Sequence, residues 1–149
     1  WKTKWVPLKT KIVGLNTGGT PVKQIGPGGS VGVMTLLDPT IIKSDSMTGS
    51  CVGYEGSLPD TLDEFTLKTT LLERIVGANK DQKVDPIKIG EALMLNVNSA
   101  ATVGMVTAVS SKGVSCKLKL PICADKGARV TISRRMGNRF RLIGYGLIE

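Results

Sequence analysis

Four arginines, Arg134, Arg135, Arg139 and Arg141, fall within eight residues of the run Ser133-Arg-Arg-Met-Gly-Asn-Arg-Phe-Arg-Leu-Ile-Gly-Tyr-Gly146. Guanidinium groups make bidentate bonds to phosphate, so such a cluster suits a polyanion. The four cannot all be buried alone, because an unpaired buried charge is prohibitively unfavourable. Glu149 is the one acid beyond Asp125. The arginines are therefore expected to face water or an anionic partner outside this chain. If Arg139–Ile143 is a strand with Phe140 and Leu142 inward, Arg139 and Arg141 project outward together. By the same alternation Arg129 points out where Val130 and Ile132 point in, and Lys117 and Lys119 lie outward on their own strand. Where these strands adjoin, Lys117, Lys119, Arg129, Arg134, Arg135, Arg139 and Arg141 form one basic surface suited to nucleic acid. The competing reading is a solvated face balanced by acids of another domain or subunit.

Charge is distributed unevenly enough to favour the first reading. Residues 1–56 carry six lysines against three acids, and residues 57–111 carry five bases against seven acids. Residues 112–149 carry nine bases against two acids, so most of the net +8 sits in the last quarter. Such asymmetry points to an anionic partner. Aromatic residues are 4% of the chain. Contact is thus expected with a phosphate backbone and its shape, not with unstacked bases.

Catalytic chemistry finds little support. The chain has no histidine, which removes imidazole acid–base catalysis and imidazole metal ligation. Cys51, Cys116 and Cys123 form no CxxC pair and read as small, reduced, apolar side chains. Asp60, Asp63 and Glu64 cluster at a turn-rich junction and read as solvated surface. Ser133 has no base of obvious geometry beside it. Gly26-Pro-Gly-Gly-Ser-Val-Gly-Val33 lacks the Gly-Lys-Ser/Thr ending of a phosphate loop and reads as a turn entering a strand. An Asn-Lys-x-Asp guanine-recognition motif is also missing. No catalytic, cofactor or metal residue is therefore assigned within these 149 residues. No run approaches a membrane span of ~20 apolar residues. Because the sequence begins at Trp1, it reads as a piece of a longer polypeptide.

The elements that position these residues are strands. Val114-Ser-Cys-Lys-Leu-Lys-Leu120 alternates apolar and polar side chains with the period of a half-buried strand. Similar runs at Lys9–Leu15, Val31–Leu37, Ser50–Tyr54, Phe65–Ile75, Glu91–Val97, Thr102–Val109, Ala128–Ser133 and Arg139–Ile148 predict an all-β barrel or sandwich. Ala78–Pro86 reads as a polar surface loop. Gly56-Ser-Leu-Pro-Asp60 clusters turn formers where net charge changes sign, and marks a domain boundary. The part before it has too few strands to close a barrel, whereas the part after it has about six.

Longer motifs carry a resemblance. They are Pro27-Gly-Gly29 followed by Val31-Gly-Val33, Leu37-Asp-Pro39 with Lys43-Ser-Asp45 and Thr48-Gly49, Gly90-Glu-Ala-Leu-Met-Leu-Asn-Val97, Leu118-Lys-Leu-Pro-Ile-Cys123, and the arginine-rich Ser133–Gly146 run. On these the chain resembles the C-terminal half of the gamma-subunit family of archaeal and eukaryotic translation initiation factor 2, over essentially its whole length. Ser30, Met34 and Phe140 depart from the family pattern, which has aliphatic, glycine and tryptophan residues there. The resemblance implies an all-β fold of two consecutive β-barrels like domains 2 and 3 of elongation factor Tu, the first incomplete. Residues 1–57 then belong to the second domain and residues 58–149 form the third. It further implies a cytoplasmic GTPase that joins alpha and beta subunits and carries methionylated initiator tRNA to the small ribosomal subunit. GTP and Mg belong to a GTPase domain outside this chain. By the same analogy Val22, Lys23, Ile25, Gly28 and Gly29 approach the aminoacyl end of the tRNA, and the basic residues of the third domain face tRNA or ribosomal RNA. The rivals are an elongation-type factor, selenocysteine-specific or Tu-like, and a structural module docking on the GTPase domain.

Overall fold

A computed structural model describes residues 5–77 and 82–149. Its contacts divide the chain into two units, Trp1–Met47 and Thr48–Glu149. The division falls earlier than the boundary expected at 57/58, because residues 48–59 pack on the second unit. A Cβ placed on Gly49 would lie 2.9 Å from Ala100 Cα, and the Cys51 thiol donates to the Cys123 carbonyl at 3.5 Å.

In the first unit β1 (Ile12–Thr17) is flanked by β2 (Thr20–Val22) and β3 (Gly32–Thr35) in an antiparallel sheet of order β2-β1-β3. Gly18 and Gly19, at φ 56° and 81°, form the two-residue turn joining β1 to β2. Both conformations lie in the left-handed region, which glycine enters without steric cost and which matches the twist of a hairpin. None of the described residues of this unit is buried. Strand β2 is not anticipated by the sequence reading, since it is three residues long and contains Pro21. Its edge position tolerates a residue without an N–H.

The second unit is a closed antiparallel barrel of order β4-β7-β6-β5-β8-β9. Its strands are β4 (Thr61–Leu71), β5 (Ala92–Val97), β6 (Ala100–Val109), β7 (Val114–Cys123), β8 (Arg129–Met136) and β9 (Arg139–Ile148). Alternation directs Leu93, Leu95 and Val97 of β5, Val114 and Cys116 of β7, and Val130 and Ile132 of β8 into the core. Thr102 is the buried polar residue among those described. Its hydroxyl donates to the Leu120 carbonyl at 2.7 Å and accepts from the Leu120 N–H at 3.1 Å, so its burial leaves no group unpaired. Ile75 and Ile87, between β4 and β5, join the same core. Within the expected loop Ala78–Pro86, residues 78–81 lie outside the described residues.

Two strand assignments need correction. The run Ser50–Tyr54 is not a strand. Ser57 donates to the Tyr54 carbonyl through both its N–H and its hydroxyl, closing a turn that leaves Tyr54 exposed. The strand expected over Phe65–Ile75 runs instead over Thr61–Leu71. Beyond it Leu72 still donates to the Ile143 carbonyl, but the chain then departs to deliver Ile75 to the core.

Barrel closure is tight where β4 meets β9. A Cβ on Gly144 would stand 2.5 Å from the Thr70 carbonyl oxygen and 3.0 Å from Leu71 Cα, both backbone atoms. Gly144→Ala is expected to destabilise the barrel by about 1–3 kcal/mol, as overpacking does, measured by urea unfolding. Burial of Cys116 pushes its thiol from the ordinary 9.0 up to about 11. The folded state therefore holds this proton more tightly than the unfolded chain does. Its contribution to stability is intact below pH 9 and falls as pH rises toward 11. Cys116→Val should flatten that part of the stability–pH curve relative to the parent chain. An unchanged slope would show that the thiol is not the group responsible.

Candidate nucleic-acid interface

The arginine-rich run forms the β8–β9 hairpin, and one irregularity in it decides which way each arginine points. Ile132 pairs with Gly144 and the next residue, Ser133, pairs with Leu142, so Ile143 is an extra residue in β9. At this bulge Ile143 and Gly144 are both buried. The facing of residues 139–142 is reversed relative to simple alternation. Phe140 and Leu142, expected inward, are 43% and 36% exposed. Directly paired residues share a face. Arg135 with Phe140 and Ser133 with Leu142 therefore belong to the outer face, continuing Thr131 with Tyr145 and Arg129 with Leu147. Arg134 with Arg141 and Met136 with Arg139 occupy the other side. The outward projection of Arg139 and Arg141 as a pair with an inward Phe140 does not hold.

Arg134 is neutralised within the chain. Its Nε donates to Glu91 Oε1 at 2.5 Å and its Nη2 to Glu91 Oε2 at 3.2 Å. Nη1 donates to the Asp85 carbonyl at 2.9 Å and Nη2 to the Pro86 carbonyl at 3.2 Å. Four of its five N–H groups are thus engaged, and the Arg134 and Glu91 side chains are only 15% and 19% exposed. Arg134 ties the loop before β5 to β8 instead of meeting an outside anion. Nothing in the spacing of Glu91 and Arg134 along the chain signals this pair.

The remaining basic residues do not merge into one surface. In the closed order β4-β7-β6-β5-β8-β9, β7 and β8 are three strands apart in either direction, so they form opposite walls. Lys117 and Lys119 are exposed on β7, where Lys117 pairs across to Glu64 of β4 and Met105 of β6. Arg129 lies on the far wall, its guanidinium carbon 5.1 Å from the centroid of the Tyr145 ring. That wall also presents Lys68, paired with Leu147, together with the exposed Leu147, Leu142 and Phe140. Lys68 and the Arg129–Tyr145 stack are absent from the sequence-based site. The alternation of Tyr145 and Leu147 with Gly146 and Ile148 is the signal that marks this outer face.

Beyond the pairs Leu93–Arg134 and Leu71–Gly144 the ladders to β5 and β4 stop, although Leu72 and Val76 still donate to the Ile143 and Leu142 carbonyls and Met136 packs on the core, so the turn end of the hairpin is two-stranded but anchored at its base. It carries Arg135, Arg139 and Arg141, with no acid between Met136 and Ile143. Arg135 and Arg139 are exposed. Arg141 is half-buried against Gly77, where an added Cβ would lie 2.6 Å from its Nη1.

The residues assigned to the aminoacyl end lie in the other unit. Val22 ends β2 opposite Leu15, while Lys23, Ile25, Gly28 and Gly29 belong to the connection that crosses from β2 to β3. Val22 and Ile25 are half-buried and the other three exposed. Gly28 and Gly29 take φ 113° and 71°, values that require glycine, and Thr17 Oγ1 donates to the Ser30 carbonyl at 3.2 Å to fasten the loop.

Comparison with known proteins is consistent across sequence and fold. The family model described as "Initiation factor eIF2 gamma, C terminal" matches residues 63–148. The chain is 50% identical to translation initiation factor 2 subunit gamma of Methanococcus maripaludis, over 99% of this chain and 36% of that protein. The subunit from Methanocaldococcus jannaschii is 51% identical with the same coverage, and that from Archaeoglobus fulgidus 49% identical over 97% of this chain and 34% of its own length. The chain thus spans about a third of the length of these relatives. In fold it is similar to translation elongation factor SelB from Methanococcus maripaludis, apo form, at TM-score 0.56 and 18% identity, over 94% of this chain and 33% of that one. Half the residues shared with gamma subunits along the entire chain, against a fold-level likeness to the elongation factor, decides between the two: the chain belongs to the family of translation initiation factor 2 gamma subunits, as part of its C-terminal, β-barrel region.

Proposed function

We propose that this chain is the RNA- and subunit-binding barrel portion of a cytoplasmic translation initiation GTPase, which delivers methionylated initiator tRNA to the small ribosomal subunit. The observation that carries the reading is the projecting β8–β9 hairpin, with Arg135, Arg139 and Arg141 and no acid among them. A narrow basic ribbon can follow a phosphate backbone, and release of condensed counterions drives the association. Arg129 and Lys68 extend this surface along the adjoining wall, where the Arg129 guanidinium sits over the Tyr145 ring. Lys117 and Lys119, on the opposite wall, serve a separate contact with tRNA or ribosomal RNA. Val22, Lys23, Ile25, Gly28 and Gly29 serve the aminoacyl end of the tRNA, where a glycine-rich backbone permits close approach. The alpha and beta subunits are the protein partners, and GTP with Mg is bound by parts of the longer protein.

Salt dependence of binding to initiator tRNA and to a small-subunit rRNA helix tests the reading. Arg135→Glu with Arg139→Glu should weaken binding and reduce the slope of log K against log salt by about 0.9 for each phosphate that is no longer neutralised. Lys117→Glu with Lys119→Glu should leave binding by the hairpin unchanged. A folded Arg135/Arg139 double variant that binds both RNAs with the parental slope would overturn the assignment. Arg134→Gln behaves differently: it should cost about 1–3 kcal/mol of folding stability by orphaning Glu91, with little change in the salt slope.

A further inference from the structure

Cys51 and Cys123 stand 72 residues apart in sequence and in contact in space. The Cys51 thiol donates to the Cys123 carbonyl at 3.5 Å, and the Cys123 thiol donates to the Pro59 carbonyl at 3.1 Å. Cys51 is near enough to contribute to raising the Cys123 thiol. Both are only partly buried, so small molecules can reach them, whereas Cys116 is 1% exposed inside the barrel. The pair sits where residues 48–59 lie against the C-terminal end of β7, with Asp60 and Asp125 nearby.

We propose that Cys51 and Cys123 form a modification site, at which a small-molecule disulfide converts the thiol pair into an intramolecular disulfide that staples residues 48–59 to the end of β7. The exchange begins at Cys51. Burial, together with Cys51, Asp125 and Asp60, pushes the Cys123 thiol up, and its S–H donates to the Pro59 carbonyl. Cys51 sulfur, as thiolate, attacks one sulfur of the reagent; the reagent S–S bond breaks, and one half leaves and takes up a proton as a thiol. Cys123 then loses its proton and attacks the Cys51 sulfur of the mixed disulfide. The second half of the reagent leaves with that proton. Two protein thiols and one reagent disulfide thereby become one protein disulfide and two reagent thiols, with the reagent reduced by two electrons. The second step is intramolecular between groups already in contact, so it outruns collision with another reagent molecule. The product closes a long loop, which constrains the unfolded chain more than the folded one.

Oxidised glutathione is the probe. After exposure of the folded 149-residue chain, alkylation and peptide mapping should yield a linked pair containing Cys51 and Cys123, with a loss of about two mass units from the intact protein. Cys116 should be alkylated only after denaturation, and the oxidised chain should melt several degrees higher until a reductant reverses the change. In Cys123→Ser, which lacks the resolving thiol, glutathione should persist on Cys51. Stable glutathione adducts on Cys51 or Cys123 of the parent chain would overturn the proposal. So would full alkylation of both thiols after prolonged exposure, and neither result depends on a variant folding.

Discussion

Six strands close into a barrel only if the first and last can meet, and β4 meets β9 through glycine. On the side of β9 that faces the interior, Gly144 would place a Cβ 2.5 Å from the Thr70 carbonyl oxygen, and Gly146 would place one 3.0 Å from Leu67 Cβ. Across the barrel Gly104 plays the same part, leaving the space that Leu95 Cδ1 occupies. A small barrel has too narrow an interior for a large side chain at every inward position, so glycine alternates with Leu67, Leu95, Ile132 and Ile143. Closure pairs each strand on both sides within the body of the barrel. Recognition by this unit therefore falls to outward side chains and to whatever extends beyond the barrel.

The β8–β9 hairpin extends because its two strands outlast their neighbours, and the bulge at Ile143 sets what it displays. Without the extra residue Phe140 and Leu142 would continue the inward series of Gly144 and Gly146, on the side of the hairpin from which Met136 packs against the core. With it, Ile143 fills the end of the core, and the aromatic ring passes to the outer face beside Arg135. The bulge thus serves packing and display at once. Arg141 returns toward Gly77, whose missing side chain leaves room for the guanidinium.

Much of this was legible in the residues. Val114–Leu120 announced its strand by strict alternation, and the glycine- and proline-rich stretches marked turns. The long arginine-bearing run carried the family. Other features depend on contacts between distant parts of the chain, which local pattern does not encode. Ser50–Tyr54 has a strand-like apolar character, yet Gly53 and Gly56 let it turn, and Cys51 faces Cys123. The reversal at Phe140 follows from one extra residue, which alternation alone cannot detect. Strand order is the deepest case. β7 and β8 follow one another in sequence, and neighbours in sequence are usually neighbours in space. Here β7 pairs with β4 and β6, and β8 with β5 and β9, which separates two sets of cations that a linear reading unites.

That separation changes what the net charge of +8 means. Facing sheet layers lie about 10 Å apart, and outward lysine and arginine side chains add to the distance. The Debye length at physiological ionic strength is about 8 Å, so exposed charges on opposite walls scarcely sense each other. The lysines of β7 and the basic residues of the β8–β9 side therefore act as two electrostatic surfaces in place of one. On β7 the field of the lysines is diluted, since Lys117 has Glu64 opposite it on one side and Met105 on the other. On the β8–β9 side one arginine is already satisfied by Glu91, which removes it from the outward field but fixes the base of the hairpin that bears the others. Locking one guanidinium into the fold while leaving Arg135 and Arg139 exposed gives those charges a rigid support. An anion meeting Arg135 on one face of the hairpin, or Arg139 on the other, then finds a donor whose backbone is already ordered, and less conformational freedom is lost on binding.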